Sequence, residues 1–265
     1  MSAPEAWPPA MIDLHSHILP GVDDGAQSLD EAVTMARMAA ADGIEQIVST
    51  PHDVGWNLAW QHPSVGIQAL QEELDRRAIK LRVLPGLEVR IDLDTPARAR
   101  EGQVLTLNRS RYLLVELPFS HYPPYVEQIL FELQVSGFVP VLAHPERHST
   151  VMRDPSLLFH LVQRGILVQV TAASIVGQFG SDIRDFTRLL LRRRLAHIIA
   201  SDAHSARLRP PTLSAAVRVA ARWIGVEEAT AMATTVPLAI VDDRSWQPDP
   251  PAEPQSRHHW FRRRL

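Results

Sequence analysis

Seven short runs rich in Val, Ile and Leu recur along this chain, each ending in a polar cluster and most followed by an amphipathic stretch of helical period. They cover residues 11–14, 46–49, 81–84, 112–115, 139–142, 166–170 and 197–200. That alternation restricts the fold more than any other feature. Strands joined by crossover helices lie parallel in one sheet, so the pattern predicts an α/β barrel or a doubly wound sheet. A length of 265 residues is close to that of one closed barrel, and 45% hydrophobic with 22% charged residues is globular composition.

The first crossover carries complete helix signals: Ser28 as N-cap, Asp30 and Glu31 in the first turn, and Gly43 past the end. Its stripe of Val33, Met35, Met38 and Ala39 reads as core packing. Further helices are expected over 67–78, 125–135, 156–163, 183–193 and 213–224. Residues 1–10 read as a flexible extension, 11–244 as one folded domain, and 245–265 as a Pro-rich tail. That tail ends in a basic and aromatic cluster around Trp260 and Phe261, a composition suited to weak contact with an anionic membrane surface. The start of the chain has no signal-peptide pattern, which predicts a cytoplasmic location.

His and acidic residues cluster directly after the strand runs, and in a parallel barrel those ends share one face. After the first run comes His15-Ser16-His17, whose period of two puts both imidazoles on one side, with Asp23-Asp24-Gly25 following. Later runs lead to His52, Glu88, Glu116, His144-Pro145-Glu146-Arg147 and Asp202-Ala203-His204. Six of the seven runs thus deliver a candidate ligand. Buried charges at one rim would be costly unless paired or metal-bound. Imidazole and carboxylate without sulfur suit Zn²⁺, Mn²⁺ or Fe²⁺, and carboxylates can bridge neighbouring ions, so several ions fit better than one.

These residues carry a resemblance. From about Met11 to Asp242 the chain is similar to the polymerase and histidinol phosphatase (PHP) domain family, in its branch of bacterial capsule-biosynthesis tyrosine phosphatases of the CpsB type. The opening 11–26, Met-Ile-Asp-Leu-His-Ser-His-Ile-Leu-Pro-Gly-Val-Asp-Asp-Gly-Ala, is its most specific part. The resemblance implies a distorted seven-stranded (β/α)7 TIM-like barrel holding three divalent ions, with Mn²⁺ favoured and Fe²⁺ or Zn²⁺ as alternatives. It implies as ligands His15, His17, Asp24, His52, Glu88, Glu116, His144, Asp202 and His204, with Glu88 bridging. Asp23 competes with Asp24. Asp53 departs from the His or Tyr of the family pattern. Two phosphate-orienting arginines match Arg147 and Arg209, with Arg207 the competitor for the latter.

The activity that the resemblance implies is protein-tyrosine phosphatase chemistry by metal-activated hydroxide, on a phosphotyrosine-bearing protein such as a bacterial tyrosine kinase controlling capsule or exopolysaccharide synthesis. A small-molecule phosphatase, for histidinol phosphate for example, and an inactive metal-binding scaffold remain the alternatives. The absence of cysteine excludes a thiolate nucleophile, and the formal net charge of -3 gives no footprint for nucleic acid. His121 and His148 stand near the expected mouth and are candidates for substrate contact. His62, His160 and His197 read as surface or locally bonded side chains.

Overall fold

A computed structural model describes residues 10–53, 63–118 and 121–253. His62, the first nine residues and the tail segment carrying Trp260 and Phe261 lie outside them. Among the described residues there are eight strands: β1 (Met11–Ser16), β2 (Ile44–Ser49), β3 (Arg82–Pro85), β4 (Val89–Arg90), β5 (Tyr112–Glu116), β6 (Val139–Ala143), β7 (Leu167–Thr171) and β8 (Ile198–Ala200). Every pairing is parallel, in two sheets ordered β1-β2-β3 and β4-β5-β6-β7-β8. The α/β class is as the alternation predicts.

The count of seven strands in one closed ladder is corrected. The third expected run becomes β3, stops at Gly86-Leu87 and resumes as β4, with β3 pairing to β2 and β4 to β5. The break has a local cause. A Cβ on Gly86 would lie 2.8 Å from Val48 Cγ1 and 3.2 Å from Thr50 Cγ2, so the chain crosses the end of β2 where only glycine fits. Backbone bonds still cross both seams between the sheets. At one, Glu88 N donates to Pro51 O and Asp53 N to Glu88 O, each at 3.1 Å; at the other, His17 N donates to Ala203 O and Asp202 N to His15 O, each at 2.8 Å.

The helices are α1 (Leu29–Ala41), α2 (Pro63–Arg76), α3 (Thr95–Arg100), α4 (Val126–Val135), α5 (Ser149–Arg153), α6 (Ser156–Gln163), α7 (Ala172–Val176), α8 (Ser181–Arg192), α9 (Ser214–Ile224), α10 (Val226–Ala231) and α11 (Thr235–Val241). Ser28 Oγ accepts from Glu31 N at 3.2 Å, the predicted N-cap of α1. Among the described residues no helix is long and apolar enough to cross a membrane.

Two apolar clusters divide the core. The larger lies between strands and crossover helices. The smaller joins Ile12, Leu14, Val48, Leu84, Leu114, Val141, Leu167 and Ile198 to Val236 and Ile240 of α11, which packs on the strand starts. Just before α11, Ala233 O and Met232 O accept from Ile12 N and Ile199 N, tying β1 to β8 at that end. The opposite end, where the strands finish, is left for polar side chains.

Candidate metal centre

The register of β1 against β2 slips between Asp13 and Ser16. Leu14 therefore joins the inner apolar cluster while His15 and His17 both reach the polar end, each fully buried. Their Nε2 atoms lie 3.3 Å apart. Glu88 Oε2 is 3.3 Å from His15 Nε2 and 3.4 Å from His17 Nε2, and Asp202 Oδ1 is 3.4 and 3.5 Å from the same two atoms. One proton can satisfy one such pair but not the whole convergent set.

The nine sequence-predicted ligands are brought together. They form four overlapping groups: His17, Asp24, His52 and His204; His15, Glu88 and His144; His15, His17 and Asp202; His52, Glu88 and Glu116. Within each group one ligand atom per residue lies within 4.8 Å of every other. Every group takes residues from both sides of the sheet divide. His144 and Asp202 are held in the left-handed backbone region, with φ of 35° and 51°, which turns their side chains inward at the ends of β6 and β8.

Burial works against ionising Glu88, but His15 and His144 outweigh it and hold its carboxyl well below the usual range. Burial likewise opposes charge on Asp202, and His15 with Arg147 keeps it ionised. Glu116 is pushed up to about 7 by burial and by the charge of Glu88. On His17, burial is overcome by the neighbouring carboxylates of Asp202, Asp23 and Glu88, which raise its pKa well above normal. His204 is lowered to about 4 by burial and by His17. Buried Glu88 Oε2 has no hydrogen-bond partner among the described residues, although three imidazole nitrogens surround it at 3.1 to 3.4 Å. A divalent cation fits this donor set: it would satisfy the ionised carboxylates and the imidazole lone pairs together.

The competing acids are separated by geometry. Asp24 Oδ1 lies 3.3 Å from His204 Nε2 and 3.5 Å from His52 Nε2. Asp23 sits behind His17, accepting from its Nδ1 at 2.6 Å and from His52 N at 3.1 Å, and is lowered to about 2 because these bonds outweigh burial. Gly25 makes this loop possible, since a Cβ there would fall 2.0 Å from His17 O.

Both predicted arginines reach the rim. Arg147 Nη2 donates to Asp202 Oδ2 at 2.5 Å, and Arg209 Nη2 donates to the same oxygen. Arg207 is exposed. Asp53 accepts from Arg90 N at 3.1 Å and pairs with Arg98 at 2.9 Å, so it braces the start of β4. His148 is committed to loop carbonyls, with Nε2 3.2 Å from Pro118 O and 3.3 Å from His121 O. His197 is buried, its Nδ1 accepting from Val168 N at 3.0 Å, and His160 is exposed.

Three supporting residues were not foreseen. Gln169 Oε1 lies 3.1 Å from His15 Nδ1, both side chains fully buried. Glu146 Oε1 accepts from Thr171 N at 2.9 Å and Ser174 Oγ at 2.7 Å, holding the turn that carries Arg147 to the end of β7. Asp13 accepts from Ser201 N at 2.9 Å and Ser201 Oγ at 2.5 Å across the second seam, and burial pushes it up to about 6 against those bonds. The run that supplies no candidate ligand, β7, thus supplies support for two others.

Comparison with known proteins gives a consistent set of likenesses. A family model described as capsular polysaccharide synthesis, CpsB/CapC, matches residues 11–242. The tyrosine-protein phosphatase YwqE of Bacillus subtilis (strain 168) is 41% identical over 203 residues, covering 75% of this chain and 79% of that protein. The putative tyrosine-protein phosphatase CapC of Staphylococcus aureus is 36% identical over 202 residues, covering 76% and 79%. A crystal structure from work on YwqE of Bacillus subtilis and CpsB of Streptococcus pneumoniae, described as unique metal-dependent tyrosine phosphatases, superposes with a TM-score of 0.87 at 36% identity. It covers 93% of this chain and all of its own.

Proposed function

The chain belongs to the CpsB/CapC family of capsular polysaccharide synthesis proteins, and from that premise we propose that it is a metal-dependent protein-tyrosine phosphatase. The observation that carries the reading is the convergence of nine imidazoles and carboxylates in four overlapping groups beside two arginines. Their ligand roles, and three ions per chain with Mn²⁺ favoured over Fe²⁺ or Zn²⁺, are part of the proposal. So is the view of the two sheets as arcs of one distorted barrel over residues 11–244, supported by the backbone bonds across both seams.

Divalent ions held by His15, His17, Asp24, His52, Glu88, Glu116, His144, Asp202 and His204 supply Lewis acidity and activation of water. The chain does the rest. Arg147 and Arg209 converge on one edge of Asp202, where their guanidinium groups can each grip two oxygens of a phosphoryl group and offset its charge. Glu146 holds the backbone turn beside Arg147, and Asp23 fixes the orientation of the His17 ring. A phenol leaves with a pKa of about 10, so its departure needs less protonation than an alkyl alcohol would. The substrate is a phosphotyrosine-bearing protein, and a bacterial tyrosine kinase controlling capsule or exopolysaccharide synthesis suits the family description.

The test uses purified full-length protein with p-nitrophenyl phosphate, a phosphotyrosyl peptide and histidinol phosphate. We expect turnover of the first two, loss with chelator, recovery with Mn²⁺, no activity in His15→Ala and reduced activity in Arg209→Ala. Full activity in metal-free protein would overturn the mechanism, and preference for histidinol phosphate would overturn the substrate.

A further inference from the structure

We propose that the end of the molecule opposite the metal centre is a docking surface for an anionic lipid bilayer. Helix α8 finishes in Arg192, followed by Arg193 and Arg194, and β8 starts four residues later at Ile198. These arginines therefore lie where strands begin, while Asp202 and His204 lie where β8 has ended. Helix α9 packs beside α8 and carries Arg222 in its last turn. Arg192 Nε donates to Trp223 O at 3.5 Å, which joins the two helix ends.

Arg188, Arg192, Arg194, Arg218 and Arg222 are all exposed, and none forms an ion pair with a described carboxylate. The acids of α8, Asp182 and Asp185, stand in its first half, and Glu227 and Glu228 open α10. A cation in the last turn of a helix is favoured by the helix dipole, which accounts for Arg192 and Arg222. It does not account for Arg194 beyond the helix, or for Arg188 and Arg218 a turn earlier. In a protein of net charge -3 this is a local basic pole, bordered by Glu227 and Glu228 of α10.

Two observations select a bilayer. First, the guanidinium groups frame apolar surface: Arg218, Ala221, Arg222 and Val226 line a cleft of about 490 Å³, and Val226 is 58% exposed. Second, the C-terminal segment arrives at the same place, with Ala252 N donating to Arg193 O at 2.9 Å. The sequence beyond it includes Arg257, Trp260, Phe261, Arg262, Arg263 and Arg264. Arginine interleaved with Trp and Phe suits the headgroup region, where the charge meets anionic lipid and the ring enters the interface. An acidic polypeptide would pair with the charges but leave the apolar component unused. Docked this way, the molecule turns its metal centre away from lipid and toward solvent. Only the use of that orientation for a protein substrate rests on the phosphatase reading.

The test is co-sedimentation of full-length protein with vesicles of phosphatidylcholine alone and of phosphatidylcholine mixed with phosphatidylglycerol, at low and high salt. The variants are a triple Arg188→Glu, Arg194→Glu, Arg222→Glu protein and a chain ending at Glu253. An arginine near an anionic surface is worth about fivefold in partitioning, so loss of three positive charges alone weakens binding of the mixed vesicles about a hundredfold, and the charge reversal in the triple variant should weaken it further. Wild type should bind the mixed vesicles only and be released by salt. The triple variant should keep its melting temperature and its p-nitrophenyl phosphate turnover. Equal binding by wild type and triple variant overturns the proposal, as does equal binding to neutral vesicles. Loss of binding in the truncated chain with full binding by the triple variant overturns the role of α8 and α9. Binding of wild type to polyglutamate but not to mixed vesicles assigns the pole to an acidic protein instead. The vesicle measurements need no activity, so they stand apart from any failure of the phosphatase reading.

Discussion

At the residue scale, the ring nitrogens of His15 have separate tasks. Nε2 faces His17, Glu88 and Asp202, so Nδ1 is left to donate to Gln169 Oε1 at 3.1 Å. This fixes one tautomer and leaves the Nε2 lone pair on the side of the cluster, the arrangement that supports a metal-ligating histidine. Gln169→Leu should therefore lower Mn²⁺ affinity by about 10–100-fold while Gln169→Glu retains it. Titration calorimetry checks this beside thermal melts, and unchanged affinity in the leucine variant would remove Gln169 from the support of the site. The sequence disclosed His15 because it follows an apolar run. It concealed Gln169, which lies 154 positions away and has no local signature among the polar residues of a buried strand. Asp13 and Ser201, 188 positions apart, escaped for the same reason. Asp23 and Asp24 are adjacent and identical in kind, so only the folded loop separates their tasks.

At the scale of elements, the ends of strands were legible and their interruptions were not. Apolar runs bounded by polar clusters found every described strand except β4, and Ser28 found the start of α1, because these signals sit within a few residues of what they specify. The split into β3 and β4 depends on Gly86 meeting Val48 and Thr50 from another strand, which no local pattern reports. The loop after β1 is equally dependent on contact. Ala26 N donates to His17 O at 3.0 Å, and Gly25 passes so close to that carbonyl that no side chain fits. Gly25→Ala should push the Asp23-Asp24 turn off His17 and lower kcat/KM by about a hundredfold, since a displacement near 1 Å can cost that much. Steady-state kinetics at saturating Mn²⁺ would expose the error if the variant matched wild type.

At the scale of the whole molecule, the two sheets meet through a few backbone bonds and through the side chains of the centre. Metal that binds the folded chain only should stabilise it by about 2.7 kcal/mol per site at a free concentration one hundred times the dissociation constant. The amides of His17, Glu88, Asp53 and Asp202, which cross the seams, should then exchange more slowly with Mn²⁺ than without. Hydrogen exchange followed by mass spectrometry tests this, and identical protection with and without Mn²⁺ would contradict it.

A separate pH effect belongs to His197 at the far end of the strands. Burial lowers its pKa from 6.5 to about 4, so the fold favours the neutral ring. Its contribution is complete above pH 6.5 and is lost as pH falls toward 4, amounting to about 3 kcal/mol below that. The urea midpoint of His197→Asn, whose amide oxygen can still accept from Val168 N, should fall less than that of wild type between pH 7 and 4.5. Parallel curves for the two proteins would refute the assignment.

Each of the four ligand groups straddles the divide between the sheets. An ion held by any of them would fasten the two sheets into one frame, so that, on the proposed reading, catalyst and clasp would be the same object. The supply of that ion in the cell would then govern how long the protein survives as well as how fast it turns over.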